Sequence, residues 1–107
     1  MITLAITPLR EANLYGKLVK KEVELRKRKI GTLHAKGGKK RNDEKWTHVK
    51  YDGWIRFSGS LSGTVIAVVR SRKAEAEGDL LASFLSFLHR HFHDSLANIN
   101  IVYGDAE

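Results

Sequence analysis

The run His89-Arg90-His91-Phe92-His93 gathers three of the five histidines in the chain. Imidazoles four residues apart on a helix project to the same side, so His89 and His93 could together chelate a divalent ion. His91 falls on the apolar arc of the same helix and points elsewhere. Two ligands do not complete a zinc shell. A third would have to come from His34, His48 or Asp94, and metal-assisted hydrolysis would need a further acid or base beside the ion. The expectation is that these histidines are structural and that there is no metal site.

Other chemistries are supported no better. Serines 58, 60, 62, 83, 86 and 95 lie in no nucleophile elbow, and Ser58-Gly59-Ser60-Leu61-Ser62-Gly63 reads as a turn. Glu75, Glu77 and Asp79 belong to the first turns of a helix, where carboxylates oppose the helix dipole, so they are not a catalytic pair. Gly37-Gly38 between lysines lacks the Walker spacing and a strong preceding strand. No catalytic residue and no cofactor is expected, and the chain reads as a non-enzyme.

What the sequence does concentrate is positive charge. The 107 residues carry a net charge of +7, and residues 17–50 hold 13 of the 19 lysines and arginines but 4 of the 12 acids, a local balance of +9. On a helical wheel Arg10, Lys17, Lys20, Lys21, Lys27 and Arg28 share an arc of about 120°, and loop cations continue it. Trp46, His48, Lys50, Trp54 and Arg56 alternate along two neighbouring strands, so aromatic and basic groups can interleave on a face that the strand register decides. This combination fits electrostatic capture of a phosphate backbone with stacking on an exposed tryptophan. The candidate contacts are Lys17, Lys20, Lys21, Arg26, Lys27, Arg28, Lys39, Lys40, Arg41, Trp46 and Trp54. No base-reading motif accompanies them. The competing account is a solvated helix face and a loop kept soluble by lysines.

These groups must be held by regular elements. Residues 2–6 alternate as a short strand, and Thr7-Pro8 supplies a capping hydroxyl and a proline suited to a first helical position. One long helix from Pro8 to Ile30 would turn Leu9, Ala12, Tyr15, Val19, Val23 and Ile30 to the core and stop at Gly31. A second stripe, Leu14, Leu18 and Leu25, leaves open a shorter helix followed by a strand from about Lys17. Residues 34–45 read as a mobile basic loop. Trp46–Tyr51 and Trp54–Ser58 flank Asp52-Gly53, the pair favoured in a type I′ hairpin. Thr64–Arg70, apolar at every position from Val65 to Val69, predicts a central strand covered on both faces. Lys73 to about Ala97 is helical, with an arc of Leu80, Leu81, Phe84, Leu85, Phe87, Leu88, Phe92 and Leu96. Residues 98–103 alternate as a last strand. The order β-α-β-β-β-α-β predicts an α+β fold: a two-layer sandwich of a mainly antiparallel sheet with two helices on one face.

Length and composition fit one domain spanning 1–107. There is no cysteine, the start of the chain lacks the charge and apolar length of a signal peptide, and Val65–Val69 is far too short to cross a bilayer. A cytoplasmic, membrane-free location is expected. The functional expectation is a small non-enzymatic binding module whose partner is nucleic acid, bound with low sequence specificity, or else an acidic protein docked by an inhibitor, immunity-type or adaptor module.

Overall fold

Ile2, Leu4 and Ile6 alternate with half-buried Thr3, Ala5 and Thr7, and this period of two makes Ile2–Pro8 a strand, β1, covered on one face. The computed structural model describes residues 1–10, 13–37 and 40–104. After β1 come α1 (Leu14–Lys27), β2 (Leu33–Ala35), β3 (Glu44–His48), β4 (Trp54–Gly59), β5 (Val65–Arg70), α2 (Ala74–Phe92), a short 3-10 turn (His93–Ser95) and β6 (Leu96–Tyr103). The strands form one antiparallel sheet in the order β2-β3-β4-β5-β1-β6. This is the α+β fold with the expected element order, plus the short edge strand β2.

One core cluster joins both helices to the sheet. From the strands it takes Ile2, Leu4, Ile6, Leu33, Trp46, Ile55, Phe57, Val65, Ala67 and Val69; from α1 Leu14, Leu18 and Leu25; and from α2 Leu80, Phe84, Phe87 and Leu88 among others. Both helices therefore pack on one side of the sheet. The other side is open: in β5, Ile66 is 41% exposed between buried Val65 and Ala67, and Arg70 is exposed next to buried Val69. The expectation that β5 is covered on both faces is thus overturned. Its apolar run spans two faces, of which only the Val65, Ala67, Val69 side meets helices.

The first helix is shorter than the wheel suggested. Pro8 ends β1, and Asn13 caps α1 by accepting a hydrogen bond from the Gly16 backbone N–H at 2.9 Å. Its buried stripe is Leu14, Leu18, Glu22 and Leu25. Leu9 and Ile30, expected in the core, lie beyond the helix ends and are 60% and 45% exposed; Tyr15 and Val19 are only partly buried at its flank, and Ala12 lies outside the described residues. The stop is also earlier than Gly31. Lys29 N–H donates to the Arg26 carbonyl and Ile30 N–H to the Leu25 carbonyl, both at 3.0 Å, with Lys29 at φ 57°. This is a Schellman ending with a lysine where glycine is usual. Because a Cβ is penalised in that conformation, Lys29→Gly should raise stability by about 0.5–1 kcal/mol in urea titration.

Two further boundaries move. His34 and Ala35 belong to β2 and Glu44 opens β3, which trims the expected 34–45 loop at both ends. Near its end Asn42 (φ 53°) exchanges two hydrogen bonds with the Gly59 backbone, at 2.8 and 3.0 Å, tying the turn to the end of β4. The β3–β4 register sets Trp46 opposite Ile55 and Glu44 opposite Phe57, not Tyr51 opposite Trp54 as a two-residue turn at Asp52-Gly53 would require. A type I′ turn needs positive φ at both central residues. Gly53 has it, at 116°, and Asp52 does not.

Candidate nucleic-acid interface

The β3–β4 register decides which aromatic and basic groups share a face. Trp46 and His48 alternate toward the helices, whereas Trp54 and Arg56 alternate with buried Ile55 and Phe57 and stand on the open side. Trp46 is fully buried, with Phe57, Phe84 and Phe87 rings at 4.9, 6.0 and 5.0 Å and its indole N–H donating to Glu44 Oε2 at 3.1 Å. It is a core residue and offers no stacking surface, a correction to the sequence reading.

Trp54 is half-buried and pairs across the strands with Arg70. The Arg56 guanidinium lies 5.9 Å from the Trp54 ring centroid and 3.3 Å from Asp43. Next to the tryptophan is a shallow recess of about 500 Å³ lined by Lys36, Lys45, Thr47, Asp52, Gly53, Trp54, Arg70, Ser71 and Arg72. Four of these side chains are cationic, and the single acid, Asp52, lies 3.4 Å from Arg72. Lys36 N–H donates to the Lys45 carbonyl, and Lys45 stands directly opposite Arg56. Three cations thus occupy adjacent positions across one row of the sheet. Like charges opposite one another weaken a sheet; within this row Asp43 offsets the charge of Arg56. A wider hollow of about 780 Å³ beside Asn13, Tyr15, Asn42 and Ser60 has no charged residue among the described residues that line it.

Gly53 makes this arrangement possible. A Cβ there would collide with the Arg70 carbonyl oxygen and come within 2.8 Å of Leu80 Cδ1 and Ser71 Cβ. Only glycine lets the chain turn into β4 against the end of β5, and that approach sets Trp54 beside Arg70.

The helix cations lie elsewhere. Lys20 and Lys27 are exposed on the side of α1 away from Leu14, Leu18 and Leu25, and Lys17 and Arg28 are exposed at its flank and C-cap, so they belong to the helix layer while Trp54 stands on the open side of the sheet. Lys21 is half-buried and bridges Glu24 at 3.3 Å. Arg26 is held 3.1 Å from the fully buried Glu22, which also meets His34 Nδ1 at 3.2 Å; its charge offsets a buried carboxylate. Lys40 and Arg41 are exposed in the turn before β3, and Lys39 lies outside the described residues. The proposed contacts therefore split between opposite sides of the molecule. Lys36, Lys45, Arg70 and Arg72 were missed in the sequence; Lys45 and Arg70 carried a signal in their alternation with buried Trp46 and Val69, whereas Lys36 and Arg72 lie just beyond strand ends and carried none.

His89 and His93 come together, their ring centroids 5.2 Å apart, but no third ligand joins them among the described residues. His93 Nδ1 is 2.9 Å from the His89 carbonyl and Nε2 is 3.2 Å from Asp94, so its two nitrogens are engaged separately from the His89 ring. Burial, then the charges of Lys21 and Arg90, hold His91 below the ordinary imidazole pKa. Among the described residues no group of three metal-binding side chains occurs, and no helix is long and apolar enough to cross a membrane. Compared with known proteins, the chain matches no family model, no curated protein and no solved structure.

Proposed function

We propose that the protein is a non-enzymatic module that binds single-stranded nucleic acid across the open face of its sheet. The observation that carries this reading is the recess beside Trp54, where one half-buried indole is surrounded by Lys36, Lys45, Arg70 and Arg72. An indole face takes any base by stacking, and a flat cationic surface tracks the strand's phosphates, so affinity comes without sequence readout. In this reading Trp54 holds a base, Lys45, Arg56 and Arg70 neutralise phosphates on either side, and Lys36 and Arg72 extend the track. A duplex would keep its bases stacked internally and leave Trp54 unused. The cysteine-free composition suits the reducing cytoplasm as the working compartment.

The test is titration of a labelled single-stranded oligonucleotide over a range of salt with two triple variants. Lys45→Gln/Arg56→Gln/Arg70→Gln on the sheet should flatten the slope of log affinity against log salt by about 2, near 0.7 for each lost contact. Lys20→Gln/Lys27→Gln/Arg28→Gln on the helix should leave it unchanged. The reverse result would move the interface to α1. No binding even at low salt would leave an acidic protein as the partner that fits the same cations.

A further inference from the structure

Among the described residues no strand pairs with the outer edge of β6, and this edge differs from the protected edges a monomer would favour. It is eight residues long, Leu96–Tyr103, and none of them is charged. Sheets ordinarily shield such edges by brevity, lysines, prolines or bulges. The opposite edge, β2, is three residues long and runs straight into Lys36. β6 has only the register irregularity opposite Thr7 and Pro8, near its beginning. Its helix side is also incompletely covered: Ile99, Ile101 and Leu85 of α2 pack against the core yet stay only partly buried, because two helices do not reach across a sixth strand.

The hydrogen-bond phase of this edge can be read. Gly104 N–H donates to the Met1 carbonyl at 3.0 Å, continuing the β1–β6 register of Ile2 with Tyr103 and Thr3 with Val102. Bonded and unbonded pairs alternate in an antiparallel ladder. Asn98, Asn100 and Val102 therefore turn their backbone groups toward β1, while Ile99, Ile101 and Tyr103 turn theirs outward.

We propose that β6 is a dimer interface, pairing antiparallel with β6 of a second copy about a two-fold axis at Asn100. In that register Ile99 faces Ile101 of the second copy and exchanges both backbone bonds with it, and the symmetric pair does the same. On the open side Asn98 faces Val102, and Asn100 faces itself. The strand is thus self-complementary: isoleucine meets isoleucine where coverage is missing, outward donors meet outward acceptors, and no charge opposes another. In a chain of net charge +7 this uncharged edge is where two copies can meet without setting cation against cation, and its self-complementarity makes a second copy the fitting occupant. The inference rests on the edge alone and stands whether or not the sheet face binds nucleic acid.

Sedimentation of the full chain over a concentration series tests it. The unmodified protein should dimerise. Asn100 is exposed, so Asn100→Asp and Asn100→Lys should each keep the circular dichroism of the parent while placing like charges across the axis, weakening dimerisation by about tenfold or more. An equimolar mixture of the two variants should recover the dimer through opposite charges. A parent that stays monomeric, variants that dimerise as tightly as the parent, or a mixture that fails to recover would each overturn the assignment.

Discussion

Replacing Trp46 by alanine is expected to cost about 4 kcal/mol of stability, while replacing Trp54 should cost under about 1 kcal/mol and instead weaken binding of a single-stranded oligonucleotide by about 5- to 150-fold. The two indoles are eight residues apart and chemically identical, so the contrast isolates position. Trp46 fills the space between Phe57, Phe84 and Phe87, and alanine would leave an indole-sized void and strand the Glu44 carboxylate that accepts its N–H. Trp54 is only half-buried and keeps Arg56 near its ring. Urea denaturation reads the first effect and fluorescence anisotropy of a labelled oligonucleotide the second. A Trp54→Ala chain that unfolds, or one that binds as the parent does, would remove this residue from the proposed interface.

Gly53→Ala should destabilise the fold by about 3 kcal/mol. Two costs combine: the backbone sits at φ 116°, and the new methyl would meet the Arg70 carbonyl, a backbone atom that cannot swing aside. Relief requires β4 and β5 to part where Trp54 pairs with Arg70, so oligonucleotide affinity should fall together with stability. Gly78 supplies the control. Nothing lies within 4 Å of a Cβ built there, and it sits inside α2, so Gly78→Ala should stabilise by about 1 kcal/mol. Equal urea midpoints for the two variants would contradict the close approach at Gly53.

The layers of the fold were legible in the sequence because strong periodicities imposed them. The boundaries differ: α2 ends at Phe92 rather than near Ala97, Leu96 opens β6 instead of closing the helical arc, and β1 runs on through Thr7 and Pro8. Even so, the arc Leu80–Phe84–Leu88 of α2 and the alternation of β1 each point one way, and both faces were read correctly. The first helix was not, since α1 carries two apolar stripes and the wheel does not distinguish a stripe that meets the sheet from one at its flank. A cap at Asn13 and a lysine standing in for glycine at the Schellman position hid both ends. The basic surface was visible as charge density on α1, whereas the recess beside Trp54 depends on register. Lys45, Arg56 and Arg70 come from three strands and become neighbours only once pairing is fixed. Reading β5 as covered on both faces concealed Arg70, because an apolar run spanning two faces looks the same whether or not the second face is covered.

The place of β1 in the sheet has a consequence for how the chain acquires its structure. The strand formed by residues 2–8 lies between β5, some sixty residues later in the chain, and β6, more than ninety residues later. Neither flank of β1 can be satisfied by a local hairpin, so its backbone stays unpaired until distant segments arrive, and the entropy of closing those long loops must be overcome first. The meander β3–β4–β5 can assemble from near neighbours well before that. Because β1 precedes both of its partner strands in the chain, it completes its pairing late, and until then Ile2, Leu4 and Ile6 are most open to association with other chains.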